Sequence, residues 1–106
     1  MANDYEQLLG DFLASVRKDL QQRSLPVVIG QVNSHTWVYG DIARKAQSDV
    51  CRKDGNCRLV QTIDLARVQG DAAHFTADAM LTLGSRFAEA MIGLTTATAK
   101  TDGLGR

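Results

Sequence analysis

Two cysteines and a single proline are all that this 106-residue sequence holds of either residue, and aromatics make up only 6% of it. Two Cys are too few for a disulfide framework or a four-Cys zinc site. One Pro beside 44% hydrophobic and 23% charged residues excludes a disordered or fibrous chain. Charge of one sign is lacking too: twelve Lys and Arg face twelve Asp and Glu, for a net charge of zero. A neutral chain has no long-range field to gather phosphates, which argues against a nucleic-acid partner and against a polybasic membrane-surface module. No apolar run approaches the ~18 residues of a membrane span. The opening MANDYEQ carries neither the basic n-region nor the apolar stretch of a secretory signal. The length allows one domain against a prior of ~100–200 residues per domain.

What is present is ordered. Tyr5, Leu8, Leu9, Phe12, Leu13, Val16 and Leu20 fall at the i, i+3, i+4, i+7 spacing of one helix face, which predicts a helix over 4–23. Asn3 is the expected N-cap, with Glu6 three residues on, and Pro26 ends helical geometry before Leu25. Pro26-Val-Val-Ile-Gly-Gln-Val32 is short, β-branched and not alternating, the habit of a strand covered on both faces. Residues 33–40 read as a loop. Asp41 is placed to cap a second helix, over 41–52, with Ile42, Ala46 and Val50 at four-residue spacing. Asp54-Gly55 signals a turn, Arg58–Ile63 a second strand, and 64–75 a loop. Thr76 caps a third helix, over 76–93, with Met80, Leu83, Phe87, Met91 and Leu94 on one face. Gly84 inside it costs ~1 kcal/mol relative to Ala, which suggests close packing against a neighbour. Thr95–Arg106 is a small, polar, Gly-containing tail, expected to be flexible beyond a folded portion of residues 1–94.

The order is α-β-α-β-α. Strands separated by helices imply right-handed crossovers and parallel pairing. Two parallel strands make a poor sheet, since independent stability usually needs three or more. Three amphipathic helices and a doubly covered strand ask for more sheet than these residues supply. The pattern is that of part of a doubly wound α/β domain whose other strands lie elsewhere, with an apolar face left uncovered.

Asp71-Ala-Ala-His74 is the constellation with chemistry in it. It lies in the loop after the second strand, on the side of an open α/β sheet where ligands bind. A carboxylate three residues before a His can orient the imidazole and stabilise its protonated form. The same spacing also fits an Asp that caps a turn beside a solvated His. Cys51 and Cys57 fit a disulfide across a six-residue spacing, two ordinary cysteines, or half a metal site with His35 and His74; the CxxC or HxxxH spacing of zinc sites is absent. Trp37 and Tyr39 fit a sugar-stacking role or simple packing of their loop onto the sheet.

The stretch Asp64-Leu…Asp71-Ala-Ala-His74-Phe75…Leu83-Gly84-Ser85-Arg86-Phe87-Ala88-Glu89-Ala90 resembles the C-terminal end of the SGNH-type carbohydrate esterases, in the branch with acetylxylan esterases and sialate O-acetylesterase-like domains. Upstream, Ile42-Ala-Arg44-Lys-Ala46-Gln47 resembles that family's R-x-A-Q helix, Pro26-Val-Val-Ile-Gly30 its LPVVIG strand, and Tyr5…Leu8…Phe12…Val16-Arg17 its Y…L…VR helix. The resemblance covers roughly residues 3–92. It implies a flavodoxin-like SGNH hydrolase fold and a serine esterase that moves an acyl group from a sugar to water, with His74 as base, Asp71 as its acid partner, and neither metal nor organic cofactor. It gives Arg44 and Gln47 structural work, such as bridging helix to loop.

The family's GQSN nucleophile block and its later QGE-x-D block are not in this sequence, nor is a Gly-x-Ser-x-Gly elbow. Ser15, Ser48 and Ser85 fall inside expected helices. Ser34, beside His35 in the loop after the first strand, is the candidate nucleophile of last resort, and Trp37 a candidate substrate-side residue. The expectation is therefore the Asp–His part of a carbohydrate O-acetyl esterase acting on an acetylated sugar or glycan. Its serine would come from an N-terminal esterase segment. The alternatives are a non-catalytic remnant, self-associating as a homo-oligomer or binding a partner through its sheet edge, and a small glycan-binding module. Related enzymes are often exported.

Overall fold

The computed structural model describes residues 4–33, 38–71 and 74–104, with side chains described as far as 96. Three helices and two strands alternate: α1 (Tyr5–Asp19), β1 (Val27–Gly30), α2 (Gly40–Asp54), β2 (Cys57–Val60) and α3 (Ala77–Leu104). The strands pair in parallel, Val27 with Cys57 through Gly30 with Val60. This is the expected order and the expected strand direction. Asn3 lies outside the described residues. Asp4 occupies the N-cap of α1 without a side-chain bond.

Each helix differs from its expected form for a local reason. The α1 stripe splits: Leu13 is buried and Tyr5, Leu9 and Val16 half-buried, while Leu8, Phe12 and Leu20 are exposed. Asp41 does not cap α2; Tyr39 takes the N-cap position, and Asp41 sits inside the first turn, 2.5 Å from Arg44. The helix ends at Gly55, whose φ of 80° gives the left-handed cap that glycine adopts without strain. In α3 the inward stripe is Ala79, Leu83, Phe87, Ala90 and Leu94, and Met80 and Met91 point outward. The stripe includes the small residues Ala79 and Ala90, which helical spacing of large apolar residues does not mark. A Cβ on Gly84 would meet nothing within 4 Å, so the close packing expected there is absent among the described residues. The helix also runs on through Leu104, past the expected end at 93. At that join the Thr95 hydroxyl bonds back to the Met91 and Ile92 carbonyls, 2.9 and 3.2 Å away.

Cys57 forms a disulfide with Cys51 of α2, which settles the open question about the two thiols. The next residue, Arg58, lies against Gly93 of α3, with its guanidinium 3.9 Å from where a Cβ there would sit. Successive residues of a strand point to opposite faces, so α2 and α3 meet opposite faces of the strand pair. Close approach on the α3 side also needs Gly30, because a Cβ there would lie 3.0 Å from Cζ of Phe87.

Ion pairs and amides fix the frame. The Arg17 guanidinium of α1 forks onto Asp54, at 2.5 and 2.9 Å, and onto the Leu25 carbonyl, at 3.1 and 2.9 Å, joining α1, the end of α2 and the approach to β1. Both side chains of this pair are largely buried, and the Arg17 hydrogen bond holds the Asp54 carboxyl below the usual carboxylate range. Gln47 of α2 is 3% exposed. Its Oε1 accepts from Val32 N at 2.9 Å, and its Nε2 donates to the Gly30 carbonyl and the Tyr5 hydroxyl at 3.3 and 3.2 Å.

Candidate active site at the carboxyl end of the strands

Both strands deliver their following loops to the same end of the sheet, as parallel strands must. Gln31 and Thr62 lock these two exits together. The Gln31 carbonyl accepts from the Thr62 hydroxyl at 2.6 Å, and Gln31 Oε1 accepts from the Thr62 and Ile63 amides at 3.1 and 3.2 Å. Arg44 adds a 3.4 Å bond from α2 to the Val32 carbonyl.

The loop after β2 folds into a small hairpin. Arg67 and Phe75 form an antiparallel bridge, with Val68 N bonded to the His74 carbonyl at 2.9 Å and Thr76 N to the Ala66 carbonyl at 3.1 Å. Its turn is closed by Asp71 N on the Val68 carbonyl at 3.0 Å. Gly70 takes the third turn position with φ 79°, where a side chain is disfavoured. Three residues past Asp71, the chain returns through His74 into the Thr76 cap of α3, where the Thr76 hydroxyl accepts from Ala79 N at 3.1 Å.

Asp71 and His74 lie together at this end of the hairpin. Asp71 Oδ1 accepts the His74 backbone N–H at 3.1 Å, and Oδ2 lies 2.6 Å from His74 Nδ1. One carboxylate thus orients both the backbone and the ring of the histidine. With Nδ1–H donating to Asp71, Nε2 is left as the basic nitrogen, on a side chain that is 79% exposed. This geometry suits a base and its orienting acid. It fits the reading of Asp71 as a turn-capping residue equally well, because both bonds exist at once.

Residues without an assigned role in the sequence reading hold this hairpin in place. Arg86 of α3 grips Asp64 at the start of the loop through two 2.8 Å bonds and reaches the Gln61 carbonyl at 2.9 Å. The hydrogen bond from Arg86 lowers the Asp64 carboxyl below its ordinary range. Both residues belong to the Asp64…Ala90 motif, but a separation of 22 residues gives no local signal that they meet. Ser34, His35 and Trp37 lie outside the described residues. Tyr39 is described and is exposed, so it does not pack its loop onto the sheet. Cys51 and Cys57 are bonded to each other and offer no thiolate to a metal. Among the described residues no cluster of three metal-ligating side chains occurs, and no helix is long and apolar enough to cross a membrane.

A family model described as carbohydrate esterase, sialic acid-specific acetylesterase, matches residues 1–93. Among solved structures, an Arabidopsis thaliana protein superposes with a TM-score of 0.78 at 28% identity, over 87% of this chain and 37% of that one. The chain therefore spans little more than a third of the length of that solved structure. Among curated proteins nothing matches.

Proposed function

Because the chain belongs to the sialic acid-specific acetylesterase family of carbohydrate esterases, we propose that it carries the Asp–His part of a serine esterase that removes O-acetyl groups from a sugar or glycan. The observation that supports this reading is the 2.6 Å contact of Asp71 with His74 on the loop after β2. In the proposed reaction His74 Nε2 accepts the proton of a serine hydroxyl as that oxygen attacks the acetyl carbonyl. The protonated imidazole then gives the proton to the departing sugar oxygen. In the second half, His74 takes a proton from water as the water oxygen attacks the acetyl carbonyl, then returns that proton to the serine oxygen as the serine–acetyl bond breaks, and acetic acid leaves and ionises to acetate. Asp71 holds the Nδ1–H tautomer and stabilises the imidazolium through both halves.

The serine and the oxyanion donors belong to the GQSN and QGE blocks, which residues 1–106 do not contain. On this reading residues 1–94 are the C-terminal portion of a doubly wound, three-layer SGNH domain, and 95–106 extend beyond it. Two features fit the missing remainder. Among the described residues β1 pairs on one edge only, and Leu8, Phe12, Leu81 and Ile92 are 62–74% exposed, apolar surface that a complete domain would cover. General-base catalysis alone contributes only ~10²–10⁴-fold, so the chain by itself is expected to hydrolyse acetyl esters feebly or not at all.

The test is complementation: acetyl-ester turnover by the purified chain, by the N-terminal half of a related esterase, and by the two mixed. Turnover in the mixture alone supports the proposal. Robust turnover by the chain alone refutes it and directs attention to Ser34. Sugar binding without turnover in any arm favours a glycan-binding module.

A further inference from the structure

Arg67 carries a charge that the proposed reaction does not use and that no described carboxylate neutralises. Its Nη2 donates to the Asn33 carbonyl, in the loop after β1. Its Nε is buried without a hydrogen-bond partner, and no carboxylate pairs with it among the described residues. A buried donor left unsatisfied costs about 1–3 kcal/mol, so an arginine here is poorly explained by stability alone. Its place in the hairpin suggests what it does. Arg67 and Phe75 form the bridged pair, so their side chains share one face, and Val68 and His74 occupy the other. Exposure agrees: Arg67 and Phe75 are half-buried, whereas Val68 and His74 are exposed. Arg67 thus sits behind the histidine, between the hairpin and the neighbouring loop.

We propose that Arg67 is a positioning residue that ties the hairpin bearing Asp71 and His74 to the loop after β1 and so sets where the imidazole stands over the carboxyl end of the strands. This inference rests on the reading of His74 as the base. Asp71 and His74 pair locally, three residues apart, and nothing in that pairing fixes their place relative to the sheet. Arg86 anchors the loop where it begins, at Asp64, and the Thr76 cap anchors it where it ends. Between these two anchors Arg67 is, among the described residues, the side chain that crosses to β1's loop. A planar fork suits the task better than a flexible ammonium, because it holds direction as well as distance.

Amide exchange on the full chain tests the tether without any need for turnover. In Arg67→Met, which keeps the aliphatic stem, protection of the Val68 and Thr76 amides should fall about tenfold or more, with the Val27 and Gln31 amides of the strand pair unchanged. Arg67→Lys, which can still donate to Asn33, should recover part of the loss. In the complemented esterase Arg67→Met should lower kcat about tenfold or more at unchanged KM, as a misplaced base would, and Arg67→Lys should again recover part. Unchanged Val68 protection in Arg67→Met overturns the inference whatever the turnover. Lost protection with unchanged kcat overturns it as well. A wild-type mixture without turnover sinks the esterase reading instead, and the exchange data still decide whether the tether exists.

Discussion

Replacing Gln47 by Leu removes one amide that three separate segments share. The side chain is 3% exposed, and its bonds reach Val32 N, the Gly30 carbonyl and the Tyr5 hydroxyl. Leucine has nearly the same volume, so little cavity term enters. The 2.9 Å bond to Val32 N is the strong one, and orphaning a buried donor costs about 1–3 kcal/mol. The bonds at 3.2 and 3.3 Å are longer, and their acceptors lie near surface that water reaches. The sum is about 2 kcal/mol, or a fall in Tm of about 8–16 °C for a domain of this size. Urea unfolding followed by circular dichroism measures it, with exposed Gln7→Leu as the control expected within about 0.5 kcal/mol of wild type. Gln47→Glu sharpens the test. A carboxylate there cannot donate to the Gly30 carbonyl, and its buried charge is disfavoured, so its folded pKa is raised. Stability of that variant relative to wild type should improve as pH falls from 7 toward 5, when the group protonates and can donate again. A Gln47→Leu loss below about 0.5 kcal/mol would refute the reasoning that this amide joins α1, β1 and α2.

Other parts of the frame give shorter predictions. Gly30→Val places its Cβ against Phe87 Cζ, a 3.0 Å approach, and should cost about 1–3 kcal/mol, part of it regained in the double variant with Phe87→Leu; an additive double-mutant cycle would contradict the contact. Reduction of the Cys51–Cys57 disulfide, whose loop contains Asp54 and Asn56, should lower stability by about 2 kcal/mol, and an unchanged urea midpoint under reductant would count against it. Asp54 has a folded pKa held below its unfolded value of about 3.9, so the stability from its pair with Arg17 is present above that value and lost as pH falls through the folded one. The gap between wild type and Asp54→Asn should therefore be wide at pH 7 and close in acid; a gap independent of pH would exclude the ion pair as its source.

Much of this was legible in the sequence, and the exceptions share a cause. The order of elements, the parallel pairing and the Thr76 cap follow from β-branched runs, helical spacing and a local hydrogen-bonding residue. The Asp71–His74 contact follows because it is local, between residues three apart. Misjudged were the faces. Met80 and Met91 fit a helix stripe by size, but both are exposed, and the strands are met through Phe87 and Gly93. Gly84 looked like a packing residue because a glycine inside a helix is costly, yet what it would pack against is not among the described residues. Long-range anchors such as Arg86 on Asp64, Gln31 on Thr62 and Arg67 on Asn33 join segments 22, 31 and 34 residues apart. No periodicity marks such pairs, and a polar residue within an apolar run, such as Gln31 after Gly30, is the faint signal they leave.

The central claim is that His74, oriented by Asp71, is the base of an acyl transfer whose serine comes from elsewhere. The most direct measurement is acetyl-ester turnover by the chain complemented with the N-terminal half of a related esterase, comparing wild type with His74→Ala and Asp71→Asn. The account predicts that His74→Ala abolishes turnover and that Asp71→Asn lowers kcat by ~10⁴-fold with the fold intact, because an amide holds the wrong tautomer. Complemented turnover that persists undiminished in His74→Ala would contradict it.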